Sequence, residues 1–172
     1  MADNNRVGIG YDAHPLLSGR KLVLGGVEIP FHKGLGGWSD ADALIHAIMD
    51  ALLGAAALGD IGCHFPPGDM EYKGISSLVL LEKVRDKLGE AGWKVINLDA
   101  TVIAEQPRLR EYIDRMRQNI ARVMEVDVSR VGLKASTSSQ MGFIGRGEGI
   151  AACAVALISG VSGQIGFDDV EK

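Results

Sequence analysis

Asp12 and His14 form an Asp-x-His pair, and side chains two residues apart in a strand point to the same face. His46 falls in a stretch of helical periodicity. There Asp42, His46 and Asp50 step four residues apart and form one polar column, opposite an apolar stripe of Leu44, Ile45, Ile48, Met49, Leu52 and Leu53. A strand pair plus one helical histidine gives three nitrogen and oxygen donors, the number a catalytic zinc takes while a fourth position stays open. Asp42 or Asp50 would orient the imidazole from behind, and spacing does not choose between them. Against this, Asp-x-His is a weak pattern by itself, and a histidine on a helix surface is commonly just solvated. His32 and His64 have no comparable partners and read as surface or loop residues.

Two further segments have the chemistry to meet phosphate. Gly145-Arg146-Gly147-Glu148-Gly149 places an arginine among flexible backbone N–H groups, as in an anion-binding nest. It lacks the G-x-G-x-x-G spacing and no helical pattern follows, which excludes a dinucleotide fold; a plain glycine turn between strands fits it equally. Ser136-Thr137-Ser138-Ser139 offers four hydroxyls in a row, suited to phosphate oxygens and also common in loops. Asp60-Ile61-Gly62 either accepts from ribose hydroxyls or caps a turn.

These residues need elements to hold them. Arg6 to Asp12 reads as a strand delivering Asp12 and His14 to its end, and Lys21 to Pro30 as a hairpin around Gly25-Gly26. Lys33 to Trp38 is glycine-rich and reads as a mobile loop. Ser39 as N-cap, with Asp42 three residues on, opens a helix over about 40–58. A Gly/Pro-rich loop from Gly59 to Gly68 precedes a second helix over 75–91. In Lys94 to Glu105, Ile96, Leu98, Ala100, Val102 and Ala104 alternate with mostly polar residues, the pattern of a half-covered strand. Pro107 opens a third helix with Leu109, Ile113, Met116, Ile120 and Val123 at three- and four-residue steps. Val131 to Ser136 and Ile150 to Ser159 complete the sheet, the last apolar on both faces and so buried on both. Helices and strands alternate only in part, which points to an α+β fold: a single-domain, two-layer α/β sandwich of ferredoxin-like type. Residues 1–5 and 161–172 read as flexible tails around one catalytic domain, 6–160.

Composition narrows the function. A chain of 172 residues with 47 % hydrophobic content is one ordinary domain, able to bury a core without disulfides. Its net charge of −4 gives no basic footprint for nucleic acid or anionic membranes, while leaving room for local phosphate sites. Cys63 and Cys153 form no C-x-x-C pair. The N-terminus lacks the basic and apolar regions of a signal peptide, and the apolar runs are too short to span a bilayer, so a cytoplasmic setting is expected.

Five stretches, taken together and in this order, resemble the 2-C-methyl-D-erythritol 2,4-cyclodiphosphate synthase family: Gly8 to His14, Leu24 to Pro30, Ser39 to His46, Asp50 to Gly62 and Gly142 to Ile150. The resemblance covers about residues 6–160. It implies a homotrimer whose sheets line a central cavity and whose active sites lie between subunits. The implied reaction is cyclisation of 4-diphosphocytidyl-2-C-methyl-D-erythritol 2-phosphate with release of CMP, in non-mevalonate isoprenoid biosynthesis. By position, Asp12, His14 and His46 would hold Zn²⁺ (Mn²⁺ or Co²⁺ share its ligand preferences), and Mg²⁺ would bridge the substrate phosphates. Ser39 would contact the methylerythritol phosphate. Thr137 would stabilise the diphosphate in the transition state, flanked by Ser136, Ser138 and Ser139. Asp60, Ile61 and Gly62 would face the ribose, and Phe65 to Asp69 the methylerythritol. Ala104 to Arg110, with Pro107, Arg108 and Leu109, would form the cytosine pocket. Phe143 and Arg146 would sit near the trimer axis, where an isoprenoid diphosphate is also accommodated.

Three positions depart from the family pattern. Trp38 stands where a histidine is common, and an indole donates one hydrogen bond but carries no imidazolium charge. Ser139 replaces the glutamate that serves the second metal, and a neutral ligand binds Mg²⁺ less tightly. Pro67 replaces the aspartate after Phe65-Pro66. Two other functions compete: a zinc-dependent phosphohydrolase, against which no well-placed base for water stands out, and a non-catalytic trimeric sensor of nucleotides or isoprenoid diphosphates.

Overall fold

The computed structural model describes residues 4–161. Strand β1 (Asn5–Ser18) leads to a small hairpin, β2 (Leu22–Leu24) and β3 (Val27–Ile29), and to β4 (Lys33–Leu35). Helix α1 (Ala43–Ala56), the short α2 (Ile61–His64) and α3 (Ser77–Glu90) follow. Then come β5 (Trp93–Ile103), α4 (Ile113–Met124), β6 (Val131–Ser136), the short α5 (Gly142–Gly145) and β7 (Gly149–Gly160). Five strands form one sheet in the order β4-β1-β7-β5-β6, in which only β5 and β6 run parallel; β2 and β3 form a separate ribbon.

The α+β, two-layer, single-domain expectation agrees with this architecture, but the ferredoxin-like label does not. A ferredoxin-like chain runs β-α-β-β-α-β. Here the main sheet is threaded β1-helix-β5-α4-β6-β7, so the last two strands follow each other without an intervening long helix.

Helix α1 carries the core. It is buried nearly all round and packs against β1 and β7 at very short range. A methyl group at Gly8 or Gly10 would lie 2.0 Å from the carbonyl oxygen of Ala51 or Ala47, so only glycine allows this approach. Opposite these glycines β7 presents Ala156 and Ala154, small enough for the same close contact.

Several local expectations change. The first strand runs on to Ser18 rather than ending near Asp12, because β7 pairs with it through Pro15 and β4 from Leu16 to Ser18. Lys33 to Leu35 is therefore strand, with Gly34 and Leu35 buried, not part of a mobile loop. The N-cap of α1 is Asp42, whose Oδ1 accepts from the Ile45 N–H at 3.1 Å; the Ser39 hydroxyl accepts from the Ala41 N–H instead. Pro107 does not open a helix. Leu109 is drawn into the core, and α4 begins only at Ile113 with Met116 and Ile120 buried as its stripe requires. A bulge between Val95 and Asn97 takes Ile96 off the buried face, while Leu98, Ala100, Val102 and Ala104 stay on it.

Among the described residues no helix covers the far side of the sheet. Val7, Ile9 and Tyr11 are 67, 76 and 57 % exposed, and Val155 of the central strand is 44 % exposed, so β7 is not buried on both faces as its composition suggested. Among the described residues no helix is long and apolar enough to cross a membrane. Asn5 already pairs with Ser159, so it is strand rather than tail. Of the other expected tail residues, Asn4 accepts from the Gly160 N–H and Val161 donates to the Gly92 carbonyl, while 1–3 and 162–172 lie outside the described residues.

Candidate metal centre and substrate cavities

Asp12 and His14 project from β1 toward α1, and His46 meets them from the helix. Asp12 Oδ2 lies 2.9 Å from His14 Nε2 and 2.9 Å from His46 Nδ1, and the two imidazole nitrogens are 3.1 Å apart. The side chains are only 22, 18 and 9 % exposed, enough to be reached from one side. Three donor atoms from two elements thus converge on one point, as the two-residue and helical spacings predicted.

The groups behind the triad are not the predicted ones. The polar column fails because Asp42 and Asp50 are both engaged with backbone. Asp42, wholly buried, accepts from Gly26 N–H at 2.8 Å as well as from Ile45. Asp50 accepts from Ile61 N–H at 2.8 Å and so sets the start of α2. His46 is not on an outer face either; it is buried beneath β1 and the start of α3. Its Nε2 lies 3.0 Å from Ser77 Oγ and 3.2 Å from Ser39 Oγ. The Nδ1 of His14 lies 2.8 Å from the Gly36 carbonyl, which can only accept, so that nitrogen carries a proton and Nε2 is the atom turned to the centre. Sequence reasoning missed Gly36 and Ser77, since nothing local marks either as a histidine partner.

Charge in the centre is balanced by its own members. Burial raises the pKa of Asp12, but hydrogen bonds and charge from His14 and His46 outweigh it and hold the carboxyl well below the usual range. Burial lowers that of His14, and the hydrogen bond with Asp12 outweighs it and raises the value. With their shared protons displaced, one carboxylate and two imidazoles meeting within 3.1 Å could hold a cation, and this hard-to-borderline N₂O donor set suits zinc, with manganese or cobalt also compatible.

The triad opens on a cavity of about 330 Å³, walled largely by Met49, Phe65, Tyr72 and Leu80. Of the predicted contacts, Trp38, Ser39, Ile61, Gly62 and Phe65 line it, and Pro67 does too. Trp38 donates from Nε1 to the Asp69 carbonyl at 2.7 Å, tying the two sides of the mouth together. Asp60 and Asp69 are not on its wall; each caps a turn, accepting from Cys63 N–H and Glu71 N–H at 2.9 Å.

The other predicted contacts lie elsewhere. Ala104, Pro107, Arg108, Leu109, Arg110, Ser136 and Thr137 line a separate cavity of about 230 Å³ at the ends of β5 and β6. Asp12 pairs with Ala152, that residue with Val102, and Val102 with Ala135, so three strand spacings, about 14 Å, separate the regions within one chain. Ser138 and Ser139 lie in the loop beyond. Glu105 Oε1 accepts from the Ser138 N–H and hydroxyl and the Gln140 N–H at 2.9–3.0 Å, an anchoring role the sequence did not reveal.

The Gly145–Gly149 nest is not formed. The N–H groups of Gly145, Arg146, Gly147 and Glu148 are all taken by nearby carbonyls, and the Arg146 guanidinium pairs with Glu148 at 2.8 and 2.9 Å. The segment is a glycine turn between β6 and β7, with exposed Phe143 at its start.

A model of the YgbB family matches residues 5–159. The chain belongs to the YgbB family. A curated family relative, the 2-C-methyl-D-erythritol 2,4-cyclodiphosphate synthase of Dehalococcoides mccartyi (strain CBDB1), is 64 % identical over 153 residues, 89 % of this chain and 98 % of that protein. The enzyme of the same name from Lachnospira eligens is 58 % identical over 160 residues, 93 % of this chain and 87 % of that one. Solved structures of the family superpose closely. The bifunctional IspDF of Campylobacter jejuni gives a TM-score of 0.89 at 40 % identity, covering 92 % of this chain and 43 % of that one. A CDP-bound 2C-methyl-D-erythritol-2,4-cyclodiphosphate synthase gives 0.82 at 34 % identity, covering 89 and 99 %. The family resemblance read from the motifs is thereby borne out.

Proposed function

We propose that the chain is a metal-dependent 2-C-methyl-D-erythritol 2,4-cyclodiphosphate synthase, a phosphorus–oxygen lyase of the cytoplasm. The observation that carries this is the meeting of Asp12, His14 and His46 at the rim of a largely apolar cavity, in a chain 64 % identical to an enzyme of that name. In the reaction a 2-phosphate oxygen of 4-diphosphocytidyl-2-C-methyl-D-erythritol 2-phosphate bonds to the β-phosphorus. The bond from that phosphorus to the bridging oxygen breaks, and CMP leaves with the electron pair.

No protein nucleophile is needed, so positioning and charge neutralisation supply the catalysis. Asp12, His14 and His46 would hold zinc, whose contribution would be Lewis-acid polarisation of a phosphate, and Mg²⁺ would contribute further neutralisation of phosphate charge. The Ser39 hydroxyl accepts from Ala41 and lies beside His46, and its own proton is free to turn into the cavity toward a phosphate oxygen. Thr137 Oγ1 accepts from the Ser139 N–H at 3.4 Å, which leaves its proton for the diphosphate. Ile61 and Gly62 would meet the ribose, and Phe65 with its neighbours the methylerythritol. Backbone groups of Ala104 to Arg110 would read cytosine.

One chain holds the metal half and the nucleotide half on separated surfaces. Active sites shared between the subunits of a homotrimer would unite them, and the uncovered apolar face around Val7, Ile9, Tyr11 and Val155 supports such an assembly. Arg146 and Phe143 would then stand near its axis, where an isoprenoid diphosphate would bind. Phosphorus NMR of the protein with substrate, zinc and magnesium tests the reading: cyclic diphosphate and CMP should form, and a metal-stripped sample should leave substrate unchanged. A linear phosphate product would indicate a phosphohydrolase, and binding without turnover in zinc-loaded protein a sensor.

A further inference from the structure

We propose that Glu105 is a positioning residue that aims the Thr137 hydroxyl at the substrate's diphosphate; this rests on the synthase reading above. Strands β5 and β6 end side by side, with Ile103 opposite Ser136 and the Ala104 N–H donating to the Ser136 carbonyl at 3.0 Å. Glu105 is the first residue beyond that ladder, and its side chain crosses to the loop that follows β6. Its Oε1 accepts from the Ser138 N–H and the Gln140 N–H, each at 3.0 Å, residues 33 and 35 positions away. The Ser138 hydroxyl, 2.9 Å from the same oxygen, divides its single proton between it and the Met141 carbonyl. The Gln140 bond first, and then the Ser138 hydroxyl, hold the Glu105 carboxyl below its ordinary value, so it stays ionised and a strong acceptor.

Two residues of that loop need outside support. Ser139 and Gln140 stand consecutively in the left-handed region, at φ 54° and 63°, which residues other than glycine adopt where their surroundings enforce it. Glu105 grips the chain on both sides of Ser139. That fixes the Ser139 N–H, which donates to Thr137 Oγ1 at 3.4 Å and leaves the hydroxyl proton for the cavity. Thr137 and Glu105 line the same cavity of about 230 Å³. The backbone of Glu105 belongs to the segment proposed to read cytosine, and its side chain sets the loop proposed to meet the diphosphate. It therefore fixes the span from base to phosphate.

A carboxylate that merely braced the fold would cost stability whatever residue stood at 137. One that acts through Thr137 loses its effect on turnover once the Thr137 hydroxyl is gone. A double-mutant cycle separates the two.

The cycle uses Glu105→Ala, Glu105→Gln, Thr137→Ala and the two double variants, assayed for cyclic product with substrate, zinc and magnesium. Glu105→Ala should lower kcat about 10- to 100-fold, with KM changed less. Zinc affinity should stay at the wild-type value, because the triad lies on other elements. Glu105→Gln keeps an acceptor for the same donors, though a neutral one, and should lose only about three- to tenfold. In the Thr137→Ala background both substitutions should change kcat by less than about twofold. Glu105→Gln preserves size and the acceptor, so it gives the answer even where Glu105→Ala fails to fold. Losses that multiply with that of Thr137→Ala would overturn the proposal. So would faster turnover in Glu105→Ala, which would show the carboxylate keeping the loop's donors from the phosphate. Wild-type protein that forms no cyclic product with both metals supplied would refute the synthase reading instead, and this role of Glu105 with it.

Discussion

Around Asp12, His14 and His46 each polar group is held by a partner from another element: β1 by α1, α1 by the start of α3, and His14 by the turn after β4. Around Thr137 the chain offers short hydroxyl side chains and backbone to a more open cavity, with Glu105 steadying the loop. The first region draws all three of its donor groups from one chain. The second, on the proposed reading, is one side of a site. A metal ligand must be placed to a few tenths of an ångström, which a folded core provides. A nucleotide can be gripped by two surfaces that meet only on assembly.

Breaking the complete half should have the largest effect. His46→Ala removes one of three ligands and should abolish zinc binding and lower turnover by at least about a thousandfold, read by metal analysis and product formation together. Turnover surviving without metal would contradict the triad. Thr137→Ala removes a donor from the open half and should lower kcat by about 10²–10³-fold while zinc affinity stays at the wild-type value. A parallel loss of zinc would show that the halves are not separable.

The buried half also carries a pH signature. Burial, then the charge of Asp40, pushes the Asp42 carboxyl up to about 6, against 3.8 for a free aspartate. Between those values the folded chain binds more protons than the unfolded one, so this group makes the fold less stable as pH rises from about 4 to 6. Above 6 the penalty is complete, on the order of 3 kcal/mol. Asp42→Asn lacks that titration, so its stability relative to wild type should improve by about this amount from pH 4 to pH 7 in denaturant melts. A constant difference across the range would mean that the carboxylate is not penalised by burial.

What the sequence made legible follows the same division. Asp12 and His14 share a face because two residues separate them, and His46 was marked by helical spacing. Which groups stand behind them was not legible. Ser77 and Gly36 become partners only when α3 and the β4 turn dock on α1, and that contact has no local pattern. Asp42 and Asp50 misled because a polar column suggests a solvated face, whereas backbone N–H groups from Gly26 and Ile61 absorb both carboxylates. Lys33 to Leu35 looked mobile because its partner strand lies 17 residues upstream. The α+β class survived because it depends on summed periodicity; the strand order depends on which edges meet.

Trp38→His sharpens the comparison with the smallest effect. It restores an imidazole at the mouth of the metal cavity and loses the tether from the indole to Asp69. A rise in kcat on the order of a few-fold is expected if a charged hydrogen bond there aids the phosphate; an unchanged rate would confine Trp38 to closing the mouth.

Mixing two inactive variants tests the central claim most directly. His46→Ala chains keep an intact nucleotide half, and Thr137→Ala chains keep an intact metal half. If neighbouring chains each supply one half, unfolding and refolding them together in equal amounts should restore roughly a quarter of the wild-type rate, the chance that an intact half meets an intact half. A mixture as inactive as its components, in proteins that demonstrably co-assemble, would contradict the shared site.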